Sequence, residues 1–264
     1  VHMQPDEKHT WITSGLQAEF ETYLPMGNKE ARSIRLSNLE SPNIQTLFKT
    51  YSLGIRTNRD DWVYDFNKDK LTDKIQRFAT IYNSEVDRWN RRGSDSASVD
   101  DFVTYDDKKV KWSEGLKSAL QRNQYVEFSL IKIRKATYRP FCKQWVFFDR
   151  VLNERVYQFP QIMPSTANEQ ENIVICVPGP GNRKDFGCLA TNLITNLNLA
   201  FEKVQCFPYY TYAEDGSNRR ENITDWALGQ FRALWRGGEQ VGHLPLCLRH
   251  TAPSGVSRAL RGES

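Results

Sequence analysis

Residues 131–160, IKIRKATYRPFCKQWVFFDRVLNERVYQFP, carry the densest signal in the chain. Seven basic side chains (Lys132, Arg134, Lys135, Arg139, Lys143, Arg150, Arg155) stand against two acidic ones (Asp149, Glu154), a local charge of +5 where the whole chain carries +4. The positive field is therefore concentrated on this segment, and the remainder is about neutral. Tyr138, Phe141, Trp145, Phe147, Phe148, Tyr157 and Phe159 share the segment, several of them at strand spacing. Gln144–Phe148 and Arg155–Phe159 read as two aromatic strands joined by DRVLNE, a hairpin that carries the basic patch. Two readings of that patch stand. Arg and Lys contact phosphates and guanine, so cations on rigid aromatic strands suit a nucleic-acid face. Alternatively the aromatics fill a β core and the cations point at water.

Upstream of the patch, Trp112–Gln124 reads as a short helix capped at Ser113. Val126, Phe128 and Leu130 alternate as a strand, and Ile131 and Ile133 continue in the opposite register, which a bulge near Leu130 would explain. From Lys68 to Arg91, Leu71, Ile75, Phe78, Tyr82, Val86 and Trp89 recur at spacings of four and three, the pattern of an amphipathic helix with Asn67 as its cap. The small polar run RRGSDSASVDD, Arg91–Asp101, reads as a linker and places a domain boundary at residues 93–100. Further upstream, Phe20, Tyr23 and Leu24 suggest one helical turn, and Ile44, Leu47, Phe48 and Tyr51 another, with Pro25–Gly27 and Ser41–Pro42 as breakers. The cluster Thr57, Asn58, Arg59, Asp60 fits a functional loop, and equally the needs of turns and caps.

Downstream, Ile173–Val177 is a buried-strand run, Leu189–Leu199 is open between helix and strand, and Thr224 caps a helix through Trp226, Leu228, Phe231 and Leu234. The expected class is α+β: a helical N-terminal part, then a β-rich part with a short C-terminal helix, without alternating βαβ rhythm.

A chain of 264 residues with 26% charged and 39% hydrophobic residues and seven Trp can bury a proper core. No apolar run reaches bilayer length and no apolar segment opens the chain, so a cytoplasmic location and no membrane partner are expected. Cys142, Cys176, Cys188, Cys206 and Cys247 are odd in number and widely spaced, which fits free thiols and neither a disulfide framework nor a zinc ribbon.

The motifs that could carry chemistry are weak. IVICVPGPGNRKDFG, Ile173–Gly187, places glycines after a strand, but Lys184 lies between Arg183 and Asp185 and so lacks the P-loop order, and no third glycine completes a dinucleotide fingerprint. Asp101, Asp106 and Lys108 resemble a Mg²⁺-holding nuclease triplet or, more simply, a solvated turn. His243, Cys247 and His250 offer three zinc-capable groups in a proline-bearing tail, one short of a structural site. The four histidines all lie near the termini, so no Ser/His/Asp or Cys/His arrangement assembles. No cofactor, no metal and no catalytic residue is expected.

Three segments together go further: SLGIRTNRDDWVYDF at 52–66, IRKATYRPFCKQWVFFDRVLNERVYQFP at 133–160, and QCFPYYTY with ENITDWAL at 205–228. In that order, with the long helix and linker between the first two, they resemble the C-terminal portion of single-chain Type ISP restriction-modification enzymes. Those enzymes join a nuclease, a helicase-like translocase and an adenine-N6 methyltransferase to a target recognition domain. The likeness covers roughly residues 9–235. It implies that residues 101–235 form the recognition domain, that residues 1–92 follow and flank the methyltransferase core, and that 236–264 is an atypical tail. The methyltransferase Asn-Pro-Pro-Tyr, an S-adenosylmethionine loop and a Walker lysine are absent from this sequence, so the parent's catalytic activities do not carry over.

The function this implies is sequence-specific recognition of double-stranded DNA beside the methyltransferase and helicase-like parts of the parent. Lys109, Lys111, Lys132, Lys135 and Lys143 are the candidates for phosphate neutralisation, and Arg134, Arg139, Asn153 and Arg155 for base-edge readout. Two rivals stand beside it: a non-catalytic protein-docking fragment, and a Mg²⁺ nuclease built on Asp101, Asp106 and Lys108.

Overall fold

A computed structural model of the chain describes residues 46–92, 98–179, 187–199 and 203–236. The architecture is α+β, as expected. The packing forms two compact units. One comprises Ile55–Tyr157 with Ile194–Leu197; the other comprises the described residues within Val1–Gly54, Gln158–Leu193 and Asn198–Ser264.

The first unit is built on the helix Lys68–Arg91. Its spacing buries Leu71, Ile75, Phe78, Ala79, Tyr82, Val86 and Trp89 along one stripe, each large apolar side chain contributing about 1.5–3 kcal/mol. Asn67 starts it as predicted, its side-chain oxygen accepting from the Asp69 and Lys70 amides at 2.8 and 3.0 Å. The stripe packs on the helices Asp60–Val63 and Glu114–Gln121 and on the strand Cys142–Phe147. Ser113 caps the helix Glu114–Gln121, accepting from Leu116. The four-stranded sheet runs in the order Tyr64–Asp65, Cys142–Phe147, Ile133–Arg139, Ile194–Thr195, the last pair parallel and the others antiparallel.

Two expectations about this sheet are corrected. The hairpin lies one strand earlier than its aromatic pattern suggested: Ile133–Arg139 pairs with Cys142–Phe147, and Arg155–Phe159 is no strand. Arg155 exchanges backbone bonds with Arg56 at 2.9 and 3.0 Å in a single bridge, after which Tyr157 turns the chain at φ 47°. Likewise, residues 126–130 form no strand. The Asn83 amide, on the long helix, clamps the Val126 backbone at both its N–H and C=O (2.9 and 3.0 Å), and Leu130–Lys132 then winds into a 3₁₀ turn. That turn, and not a bulge, reverses the alternation.

The chain on either side of the 93–100 segment belongs to the same unit. Val99–Phe102 packs on Glu114–Gln121, and the Phe102 ring meets Trp89 edge-on at 4.9 Å.

The second unit holds a fully antiparallel sheet in the order Ser52–Leu53, Val204–Pro208, Val174–Pro178, Leu189–Thr191, which also resolves 189–191 as strand. Every residue of Val204–Pro208 is buried, the pattern of a strand covered on both faces. Cys176 and Cys206 are buried partners on adjacent strands of this sheet, Sγ to Sγ 3.9 Å, too far for a disulfide. Thr224 caps the helix Asp225–Arg236 through the Ala227 amide at 3.1 Å. The helical turn proposed at residues 20–24, the glycine-rich turn at 180–186 and the tail ligands His243, Cys247 and His250 lie outside the described residues.

Two buried asparagines close this unit. Asn222 donates to Thr50 O (2.9 Å) and Pro208 O (2.8 Å) and accepts from the Thr50 amide (2.8 Å); Asn172 holds Ile162 and Tyr210 in the same manner at 2.8–2.9 Å. Asn222→Ala strands backbone groups at a fully buried site, and unfolding stability is expected to fall by about 3 kcal/mol. A urea midpoint corresponding to less than about 1 kcal/mol would show that water replaces the clamp.

Candidate nucleic-acid interface

The basic hairpin contains Arg134, Lys135, Arg139 and Lys143 and no carboxylate between Ile133 and Phe147. Strand alternation sorts its side chains. Arg134, Ala136 and Val146 lie on the covered face with Tyr64, all of them buried. Lys135, Lys143 and Trp145 share the other face, where both lysines are exposed and Trp145 is half-buried. The ammonium groups of Lys135 and Lys68 lie 4.1 and 5.2 Å from the Trp145 ring centroid, a range in which the ring's negative face attracts cations.

Asp65 sits opposite Trp145 without quenching these lysines. It accepts the Asn67 amide at 2.8 Å and pairs with Lys74 at 2.9 Å, and the backbone bond, then Lys74, hold its carboxyl below the ordinary range. Beyond Thr137 and Trp145 neither flanking strand continues, so residues 138–144 project as a two-stranded tip. The tip is anchored at its root. Arg139 donates to Tyr138 O (2.7 Å) and Asn196 Oδ1 (3.0 Å), and the Tyr138 hydroxyl donates to Asp60 at 2.9 Å.

Beneath the hairpin, the cluster Thr57–Asp60 resolves into turn and core chemistry. Arg59 is fully buried. Its guanidinium donates to Lys111 O (3.2 Å), Leu152 O and the Ser113 hydroxyl, and lies 4.0 Å from Glu154. Ser113 in turn donates to Glu154, which also accepts the Gly115 amide at 3.0 Å. A Cβ at Gly115 would come within 2.7 Å of that carboxylate oxygen, so glycine is what lets Glu154 reach the helix N-terminus. Desolvation dominates over the Glu154 charge and pushes the Arg59 pKa down to about 10.

The predicted contact residues separate by accessibility. Lys135 and Lys143 share one exposed face of the hairpin, and Arg139, half-buried, sits at its end opposite Cys142. Lys109 lies within the turn bridged by Asp106 and Val110 and is exposed; Lys111 follows it, 4.0 Å from Asp107. Arg155 is exposed and, with Arg122 and Arg150, lines an open cavity of about 390 Å³.

Three of the candidates are engaged within the fold. Asn153 is buried, its amide donating to Phe147 O (3.1 Å) and accepting from Asp149 N (2.9 Å), so it has no edge to offer a base. Arg134 is buried with its guanidinium 5.4 Å from the Phe148 ring centroid. Lys132 directs its charge to buried Asp149 at 2.8 Å. Lys68 joins this face only through the fold, which brings it beside Trp145. Asp101 and Asp106 serve a cap and a turn, bonded to Ser98 (2.7 Å) and the Lys108 amide (3.0 Å). Among the described residues no group of three His, Cys, Asp or Glu side chains could hold a metal ion, and no helix is long and apolar enough to cross a membrane.

An α+β protein with a carboxylate-free basic hairpin is, by class, a candidate polyanion-binding protein. The chain belongs to the family described as the Type ISP C-terminal specificity domain, whose sequence pattern matches residues 46–246. Two solved structures are similar at 32% identity: a nuclease-deletion mutant of the Type ISP restriction-modification enzyme LlaGI in complex with a DNA substrate mimic (TM-score 0.63, 70% of this chain and 17% of that one), and a DrdV–DNA complex (TM-score 0.65, 89% and 22%). The Type ISP enzyme LlaBIII bound to DNA shares the fold at 22% identity (TM-score 0.60, 73% and 12%). The chain thus spans less than a quarter of the length of each. No curated protein matches it.

Proposed function

We propose that this chain is the part of a Type ISP restriction-modification enzyme that reads sequence in double-stranded DNA. The observation that carries the proposal is the basic hairpin: exposed Lys135 and Lys143 around half-buried Trp145, with Lys68 added by the long helix, on a specificity-domain fold. Lysines on this face neutralise phosphates and set register; Arg139 at the tip and Arg155 at the cavity rim are the base-reading candidates. The recognition surface lies on residues 101–235, joined by Lys68 from the start of the long helix; the rest of that helix is framework next to the methyltransferase. Chemistry belongs to the methyltransferase and helicase-like parts of the parent, and the chain works in the cytoplasm. The adjacent exposed side chains Leu130 and Ile131 (58% and 81%) favour a docking contact with those parts, since apolar groups centre protein interfaces.

The test is selection from a random duplex DNA library by the full chain at physiological salt, where nonspecific retention is reduced. The expected result is one enriched asymmetric site. Salt-sensitive retention without enrichment would reject sequence reading by this chain and leave the docking role.

A further inference from the structure

We propose that Phe141 is a wedge that this chain drives between stacked base pairs of its DNA. The inference rests on the DNA-recognition reading above and adds to it a residue and a mode of contact.

Phe141 occupies the loop position before Cys142, which pairs with Arg139 across the hairpin end. Two features of it are each unfavourable to the isolated fold. Its φ is +59°, a left-handed conformation that Gly or Asn adopts at little cost and a bulky residue does not. Its side chain is 96% exposed, more than any other large apolar side chain among the described residues. A single exposed apolar residue is ordinary; one that is also held in a conformation suited to glycine points to a role outside the fold's own stability.

The surroundings supply the partner's chemistry. Arg139 and Lys143 flank Phe141 in sequence, Lys135 and Lys68 lie behind them on the Trp145 face, and no carboxylate interrupts the hairpin. The partner is therefore polyanionic along its backbone and apolar where the ring enters, as a duplex is between its base pairs. Apolar wedges of this kind, Phe and Leu among them, unstack a base step in proteins that deform DNA. A wedge must also be stiff. Pro140 fixes the preceding φ, and the Arg139 bonds to Asn196 and to Tyr138 O brace the root.

The experiment uses the full chain and a duplex carrying the site selected by the wild-type protein, with 2-aminopurine substituted at each position in turn. Wild-type binding is expected to raise 2-aminopurine fluorescence at one step, reporting lost stacking. Phe141→Ala and Phe141→Gly should abolish that rise and weaken binding by roughly 5- to 150-fold, the range for loss of one base–aromatic stacking contact. Phe141→Leu should keep most of the rise. Phe141→Gly should melt at or above the wild-type temperature, since it relieves the left-handed strain, whereas a merely structural role predicts a lower melting temperature. Wild-type affinity in the Ala and Gly variants, or weakened binding without any wild-type fluorescence change, overturns the wedge while DNA recognition stands. Failure of the wild-type chain to select any site overturns both.

Discussion

Arg59→Met is expected to lower unfolding stability by about 3–5 kcal/mol, the cost of removing one partner from a buried ion pair. The guanidinium ties two separate segments of the chain to its own: the Lys111 carbonyl and the Ser113 helix cap in one, and the Leu152 carbonyl of the loop after the hairpin in the other. Its loss leaves Glu154 among buried neighbours and leaves Leu152 O, at a residue with no exposure, without this donor. The downward displacement of the Arg59 pKa, to about 10, says that desolvation outweighs the return from Glu154. The pair is therefore a device for holding these segments in place more than a source of net stability. Two measurements separate these contributions. Glu154→Gln keeps one oxygen to accept the Gly115 amide and loses the second, which accepts from Ser113; the Arg59 guanidinium keeps its own acceptors, so this change should cost less than Arg59→Met, and urea titration of both singles and the double variant yields the coupling directly. A loss below about 1 kcal/mol in Arg59→Met would mean that water substitutes for the guanidinium and that the cluster at 57–60 is not structural. Because Arg59 is buried, the folded variant should bind DNA as wild type does; selective loss of binding would instead make that cluster the functional loop.

What could be read from the sequence follows the range of the interactions involved. The long helix, and the caps at Asn67, Ser113 and Thr224, depend on residues within one or two turns, and the periodicity and cap chemistry expose them. The hairpin was legible as a basic aromatic element, but its partner strand was misplaced. Residues 133–139 and 155–159 carry similar patterns, and the true turn, Pro140–Phe141, lacks the Gly or Asn that marks such turns. Burial was the least legible property. Nothing local distinguishes Arg134 from Lys135, yet alternation sends one into the core and the other to solvent. Arg59 finds partners 52 to 93 residues away, and Lys68 meets Trp145 only because a two-residue strand, Tyr64–Asp65, pairs beside the hairpin.

Simultaneous replacement of Lys68, Lys135 and Lys143 by Ala is expected to reduce the salt dependence of DNA binding by about 2.7 in the slope of log Kobs against log salt, roughly 0.9 for each phosphate no longer neutralised. Between 50 and 200 mM salt that difference amounts to a roughly 40-fold smaller loss of affinity in the variant than in wild type. The effect should be the same on the selected site and on unrelated duplexes, because phosphates carry no sequence. Lys132→Ala is the internal control. Its ammonium is spent on Asp149 at 2.8 Å and on Glu127 O at 3.0 Å, so the slope should stay at the wild-type value while stability falls, Asp149 being left buried without its cation. Both variants remove positive charge in and beside the hairpin, so a general field effect would lower the slope in both. A drop confined to the triple variant places phosphates on the Trp145 face; a drop in Lys132→Ala alone, or in neither, would move the interface away from the exposed side of the hairpin, toward the cations at the cavity rim.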